Sequence, residues 1–232
     1  MSPQSEQRRG GPIRDNAISV FFGAIFLAAL VGQALSGWAQ YNNEQVADGL
    51  ATISLAGYLT SASFGVDVVE NWQSEYLQFL LYIWATVWLI QHGSPESKRA
   101  GEEGTETKAD QKLGSSTRAG SPTWAKAGGL RTRIFSNSLV LVMGTIFVLS
   151  WLAQSLTGVA AYNEQQIVQL EDPVSWPRYL QSAEFWNRTM QNWQSEFLAV
   201  GSMAILAVFL RQRGSAESKP VGEPHESTGA TA

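Results

Sequence analysis

Asn71-Trp72-Gln73-Ser74-Glu75 recurs as Asn192-Trp193-Gln194-Ser195-Glu196, 121 positions later. In both places an apolar run follows, from Trp72 to Ile90 and from Trp193 to Leu210. The spacing predicts two equivalent helix entrances, each bearing one carboxylate and one interfacial Trp. At such an entrance the acid would favour the positive end of a helix dipole and cap free backbone N–H groups.

Working outward, the same offset pairs Asn16 to Lys98 with Asn137 to Lys219 without a gap, and 31 of the 83 pairs are identical. Chance would match about one in fifteen to twenty, so the sequence implies an internal duplication. The matches include Gly23/Gly144, Gln33/Gln154, Gly37/Gly158, Tyr41/Tyr162 and Asn42/Asn163. Near the inner ends, Gly93-Ser94 with Glu96-Ser97-Lys98 matches Gly214-Ser215 with Glu217-Ser218-Lys219. Most apolar positions between them have drifted, as expected where any lipid-facing side chain serves.

Ahead of each motif lies a longer apolar run. Ala17 to Leu35 is uncharged and would span about 28 Å as a helix, close to the hydrocarbon core of a bilayer. Its counterpart, Ser138 to Leu156, lies mid-chain where no signal peptide acts, so both runs are expected to be membrane spans. Arg8-Arg9 does not make a persuasive twin-arginine signal, because Gly10-Gly11-Pro12 follows it and the apolar run begins too late.

The expected fold class is an all-α membrane protein of four transmembrane helices, arranged as two parallel-duplicated helical hairpins. Residues 1–15 form a tail and 16–98 the first hairpin, with spans near 17–37 and 72–91. Residues 99–130 form a disordered linker rich in Gly, Ser, Glu and Lys. The second hairpin covers 131–219, with spans near 138–158 and 193–211, and 220–232 form a disordered tail. Between the spans of each hairpin, Leu55 to Leu59 and Phe64 to Val69 are expected as short surface helices or a helical lead-in. Gly93 and Gly214 are expected helix caps. The tails and linker hold fourteen of the sixteen basic residues, and the two other connectors hold none and two. The positive-inside rule then puts both termini and the linker in the cytoplasm of a multi-pass cell-membrane protein.

Several function classes are excluded or weakened. The net charge of −4 comes with no basic stripe for nucleic acid. Absence of cysteine removes thiolate chemistry and disulfides. His92 and His225 do not recur in the repeat, which argues against a histidine metal site, and Gly128-Gly129 lacks the Lys-Ser/Thr of a phosphate loop. No catalytic residue, metal or cofactor is expected.

The candidate intramembrane polar site is Gln33, Glu75, Gln154 and Glu196, supported by Asn71, Trp72, Asn192 and Trp193. Intramembrane acids mark ion or proton paths, and two facing carboxylates make a proton-accepting pair. The more ordinary reading gives the Gln residues interhelical hydrogen bonds and leaves each Glu capping its own helix. Gly37 and Gly158 would allow close packing or end a helix. Tyr41-Asn42 and Tyr162-Asn163 suit the outer helix ends. The Gly-Ser-x-Glu-Ser-Lys segments would close a helix or dock a partner.

Arg14 to Asn16, Val31 to Gly37, Tyr41-Asn42, Asn71 to Gln78 and Gly214 to Lys219 carry a resemblance over nearly the whole chain apart from linker and tails. The chain resembles an uncharacterised bacterial integral-membrane family, a domain of unknown function. The resemblance implies a duplicated four-span protein and brings no activity. The expected function is a non-catalytic component of envelope assembly or sensing, with the lipid bilayer and a homo-oligomer or membrane-protein partner around it. The alternative is a small channel or transporter with a polar path through Gln33, Glu75, Gln154 and Glu196.

Overall fold

A computed structural model describes residues 11–229. Arg8-Arg9 and the outermost parts of both expected tails lie outside the described residues. Nine α-helices and one short 3-10 helix appear among the described residues, with no strand. In order these are α1 (Pro12–Asp15), α2 (Ala17–Ala47), α3 (Leu55–Leu59), α4 (Ala62–Trp88), α5 (Thr123–Ala127), α6 (Gly129–Ser136), α7 (Ser138–Val168), α8 (Trp176–Tyr179) and α9 (Ala183–Phe209). The 3-10 turn, Gly114–Ser116, lies with α5 inside the segment expected to be a featureless linker.

The long helices obey the offset seen in the sequence. α2 and α7 each have 31 residues and α4 and α9 each have 27, with every start displaced by 121. Two helices, α2 and α7, are long and apolar enough to cross a membrane. Each continues about three turns past its apolar run, so the chain re-enters a polar region before it turns.

Those turns are built alike. The Asn42 side chain accepts from the Ile53 N–H at 2.8 Å and donates to the Ile53 carbonyl at 3.1 Å. Asn163 does the same for Val174, at 2.8 and 3.0 Å. Each amide therefore replaces a backbone partner and fixes the return path. Gly49 after α2 has a φ of 75°, a left-handed conformation that glycine adopts freely. Its counterpart after α7 is Leu170 at 60°, where a side chain is strained.

Both second helices begin earlier than expected. Ser61 accepts from the Phe64 N–H and starts α4, and Ser182 accepts from the Phe185 N–H and starts α9, each at 3.2 Å. This corrects the reading of the Asn-Trp-Gln-Ser-Glu stretch as a helix entrance. Glu75 and Glu196 sit well inside continuous helices, where all N–H groups are already used, so neither acid caps anything. Phe64 to Val69 is the lead-in turn of α4 itself. Gly93 and Gly214 are likewise not the expected caps. α4 ends at Trp88 and α9 at Phe209, and the two glycines take positive φ in the turns beyond.

The helices pack in an unequal way. α4 runs antiparallel against α7. Near the start of α4, the end called outer here, a Cβ on Gly65 would stand 3.1 Å from Thr157, and toward the other end, called inner, one on Gly144 would stand 3.5 Å from Leu80. The missing side chains let these two backbones approach closely. α9 lies parallel to α4 and meets α7 through aromatic rings, with Trp151 of α7 against Phe185, Trp186 and Trp193. In contrast, α2 buries no residue at all. It is held at its outer end, where the Tyr58 hydroxyl presses on Gly37, as the Tyr179 hydroxyl presses on Gly158. Both glycines therefore serve close approach and neither ends its helix.

The inner ends are tied by the Gly-Ser-x-Glu-Ser-Lys segments. The Ser97 and Ser218 hydroxyls accept from the Gln91 and Gln212 N–H groups at 2.9 Å, folding each segment back on its helix. Lys219 is fully buried and donates to the carbonyls of Gly93 at 2.6 Å and His225 at 2.7 Å. Much of the tail after Lys219, expected to be free, therefore wraps against the Gly93 turn, because a buried ammonium requires several acceptors.

Candidate functional site

The register of α4 on α7 determines the depth of every polar group between them. Interpolating between the Gly65–Thr157 and Leu80–Gly144 contacts places Gln73 and Glu75 opposite the Val148–Ser150 turn. That turn is the middle of the apolar run from Ser138 to Leu156. The motif expected at a membrane mouth thus lies halfway along the apolar length of its neighbour.

The interior at that level is polar. Gln73 and Thr189 are fully buried, and Gln154 and Ser74 are 1% exposed. Gln154 and Thr189 stand at the level of Val68, with Gln73 a little more than one turn further in. The Gln73 carbonyl oxygen accepts from the Trp193 indole at 2.8 Å. The Gln73 amide nitrogen, both amide atoms of Gln154 and the Thr189 hydroxyl have no hydrogen-bond partner in the protein among the described residues. Leaving such a group unpaired in an apolar medium costs roughly 2–7 kcal/mol. Interhelical hydrogen bonding, the ordinary role expected of Gln154, is therefore not what this side chain does here.

Glu75 and Glu196 are on neighbouring helices. The Glu196 carboxylate feels the Glu75 charge and the Ser74 hydroxyl across the seam between α4 and α9. Glu75 is exposed and Glu196 half-buried, so the pair lies on the side of the seam away from α7. Asn71 and Asn192 bond back to the carbonyls of Asp67 and Arg188 in their own helices, at 2.7 and 2.9 Å. Trp72 is exposed, and Trp193 is drawn inward by Gln73. Gln33 stands apart on α2, half-buried, and does not join this cluster.

Level with Gln154 and Thr189, and more than one turn from Gln73, sits an ionic layer that the sequence reading did not single out. Arg188 of α9 binds Asp67 and Glu70 of α4, each at 2.7 Å, with Glu184 at 3.7 Å. Asp67 and Arg188 are the same position in the two repeats. Opposite charges at equivalent positions are a signal that the pair meets across the symmetry axis, and that signal was available in the alignment. Further out, a cavity of about 530 Å³ opens between the outer ends of α2, α4 and α7, with Tyr41, Glu44, Tyr58, Asp67, Glu164 and Arg188 on its walls. The Tyr41 hydroxyl donates to Glu164. Burial, reinforced by that carboxylate, pushes Tyr41 up to about 12, so it stays a donor. Tyr179, beside the same layer, is also raised to about 12, chiefly by burial.

Residues 10–230 match a family described as Domain of unknown function (DUF6766). The chain belongs to this family. No curated protein and no solved structure matches it. The arrangement provides a carboxylate-rich outer cavity, an arginine-centred ion layer, buried amides and a hydroxyl, and two neighbouring acids. Among the described residues no group of three or more His, Cys, Asp or Glu is disposed to hold a metal ion.

Proposed function

We propose that this DUF6766 protein is a non-catalytic, four-span membrane protein with a polar interior between α4, α7 and α9 through which protons or small cations move. The observation that carries the reading is the set of buried, unpartnered Gln73, Gln154 and Thr189 groups at the core of an apolar helix assembly. Water, hydronium or a small cation would satisfy them, and a packed scaffold would have no use for them.

Packing supports the four-span arrangement. α4 lies beside the apolar run of α7 between the Gly65–Thr157 and Leu80–Gly144 contacts, so a bilayer around α7 would also surround α4, despite the polar residues that lower its hydropathy. α9, parallel to α4 and bonded to it at Arg188 and Trp193, shares that depth. The duplication supports the same topology in both halves, with α2 equivalent to α7. The basic tails and linker support an inner location for both termini. The Asp67, Glu70 and Arg188 layer would then stand between the outer cavity and Gln73, the deepest of the unpartnered groups.

Purified full-length protein in liposomes, under an imposed potential and with a trapped pH-sensitive dye, tests this. Flux above that of empty liposomes is expected. It should fall at least tenfold in Gln73→Leu with Gln154→Leu, while thermal unfolding of the variant stays cooperative. Flux equal to empty liposomes, or unaffected by that double variant, would sink the pathway. A second reading, assembly with a partner, is favoured by one observation: α2 has no buried residue within its own chain.

A further inference from the structure

The two repeats match in sequence and differ in what they cover. On α4, Gln73 is fully buried, Ser74 is 1% exposed and Leu77 is 8% exposed, all on account of α7 and α9. Their counterparts on α9 are Gln194, Ser195 and Leu198. All three are exposed, with Leu198 at 64%. α7 buries Ser150, Gln154, Ser155 and Gly158, whereas the equivalent Ala29, Gln33, Ala34 and Gly37 of α2 are not buried. The close contact of Gly144 with Leu80 corresponds to Gly23 and Gly201, and neither of these has a neighbour within 4 Å. One groove between α4 and α9 is filled by α7, and the equivalent groove on the opposite side is open. It exposes Trp72, Gln194, Leu198 and the Glu75–Glu196 pair.

We infer that a second copy of this chain fills that groove with its α2, and that each copy does so for the other. The inference rests on the four-span membrane reading above. The filled groove shows what the open one accepts, because α2 is the repeat of α7. The chain presents a free α2 and a free α2-accepting groove together, so two copies are mutually complementary as they stand. A twofold axis along the membrane normal relates them, which keeps both copies in the same orientation. The chain's own α2 is tied at its outer end away from the groove. The Trp38 indole donates to the Ile53 carbonyl at 2.8 Å, Asn42 clamps Ile53, and Tyr41 holds Glu164 of α7. Polar demand points the same way. Gln194, Ser195, Glu75 and Glu196 would otherwise face hydrocarbon at mid-depth, where a polar side chain is costly. The Gln33 amide of the partner's α2 arrives at that groove just as Gln154 does at the filled one. At the outer end α9 departs from the template. Trp186 replaces Gly65, and it is engaged by Trp151 and the Leu180 carbonyl. The closest approach therefore falls at the inner end, where Gly23 meets Gly201.

The chain has no cysteine, so introduced thiols report cleanly. Two differently tagged full-length chains, one Gly23→Cys and one Gly201→Cys, are co-expressed, oxidised in native membranes and analysed for disulfides between tags. Ala28→Cys, on the opposite side of α2, replaces Gly23→Cys as the control. Cross-linking between tags several-fold above the control is expected, together with co-purification of the two tags for the chain without substitutions. A chain carrying both Gly23→Cys and Gly201→Cys that closes on itself, while the mixed chains stay separate, would overturn the inference in favour of α2 folding onto its own groove. Equal background levels in every mixture would also overturn it and leave α2 facing lipid. Alkaline carbonate extraction of the same membranes separates the two readings. Retained chains without cross-links overturn the dimer alone, and released chains overturn the membrane reading and the dimer with it.

Discussion

Replacing Arg188 with Leu removes the centre of the ionic layer. Arg188 donates Nε to Glu70 and Nη2 to Asp67, both at 2.7 Å. The two bonds differ in worth because their acceptors differ in exposure. The Glu70 side chain is 15% exposed, so its carboxylate loses most of its solvation and depends on the guanidinium. A charge-assisted bond of this kind contributes about 1.5–3 kcal/mol. The Asp67 side chain is 43% exposed, so water replaces much of what Arg188 provides, and this bond is worth under about 1 kcal/mol. The Glu184 contact at 3.7 Å adds little. Arg188→Leu should therefore destabilise the protein by about 3 kcal/mol, which for a chain of this size lowers the thermal midpoint by roughly 6–12 °C. Trp193 and Trp186 lie on the same helix, so tryptophan fluorescence in mild detergent follows the transition. Most of the loss comes from leaving Glu70 buried without a counter-charge. Adding Glu70→Gln to Arg188→Leu should then recover at least half of it, whereas adding Asp67→Asn should recover almost nothing. An unchanged midpoint in Arg188→Leu, or equal recovery by the two second substitutions, would refute the assignment of Glu70 as the dependent partner.

Two further expectations come from the repeat. Gly158→Ala puts a Cβ into the space of the Tyr179 hydroxyl, and because Tyr179 is 1% exposed it has nowhere to retreat. A loss of about 1–3 kcal/mol is expected in the same melting assay. Leu170→Gly should do the opposite. Leu170 has a φ of 60° and is 95% exposed, so glycine, as found at position 49 of the first repeat, removes strain without removing contacts. A gain of about 1 kcal/mol is expected. No gain would show that the left-handed turn is absent in solution.

The motif Asn71 to Glu75 shows how far the sequence could be read. Its recurrence was visible, and so was an all-helical chain with two long apolar helices. The depth of Glu75 was misjudged, because hydropathy located the start of the second helix at the first apolar residue. The real start is governed by a hydroxyl cap at Ser61, ten residues earlier than the apolar pattern suggests, and the same Ser recurs at 182. Recognising that repeated cap would have extended both helices and moved both acids inward. Of the expected polar residues, Gln154 is buried, as are Gln73 and Thr189, Glu75 lies within electrostatic range of Glu196, and Gln33 stands outside. Identical sequence at 33 and 154 gave no warning of this, because burial depends on which helix arrives from elsewhere in the chain.

By itself, then, the sequence determined the repeat, the all-helical class with its two long apolar runs, and the charge asymmetry. These depend on residues close in the chain, or on an offset that can be counted. Only the tertiary structure decided which repeat of each pair is buried. α4 and α9 carry the same motif, yet α7 covers one face and leaves its equivalent open. Gly65 admits Thr157 at one position, and at the equivalent position the bulk of Trp186 packs on Trp151 instead. Packing between distant helices is selected by such single differences in volume, and local pattern does not register them.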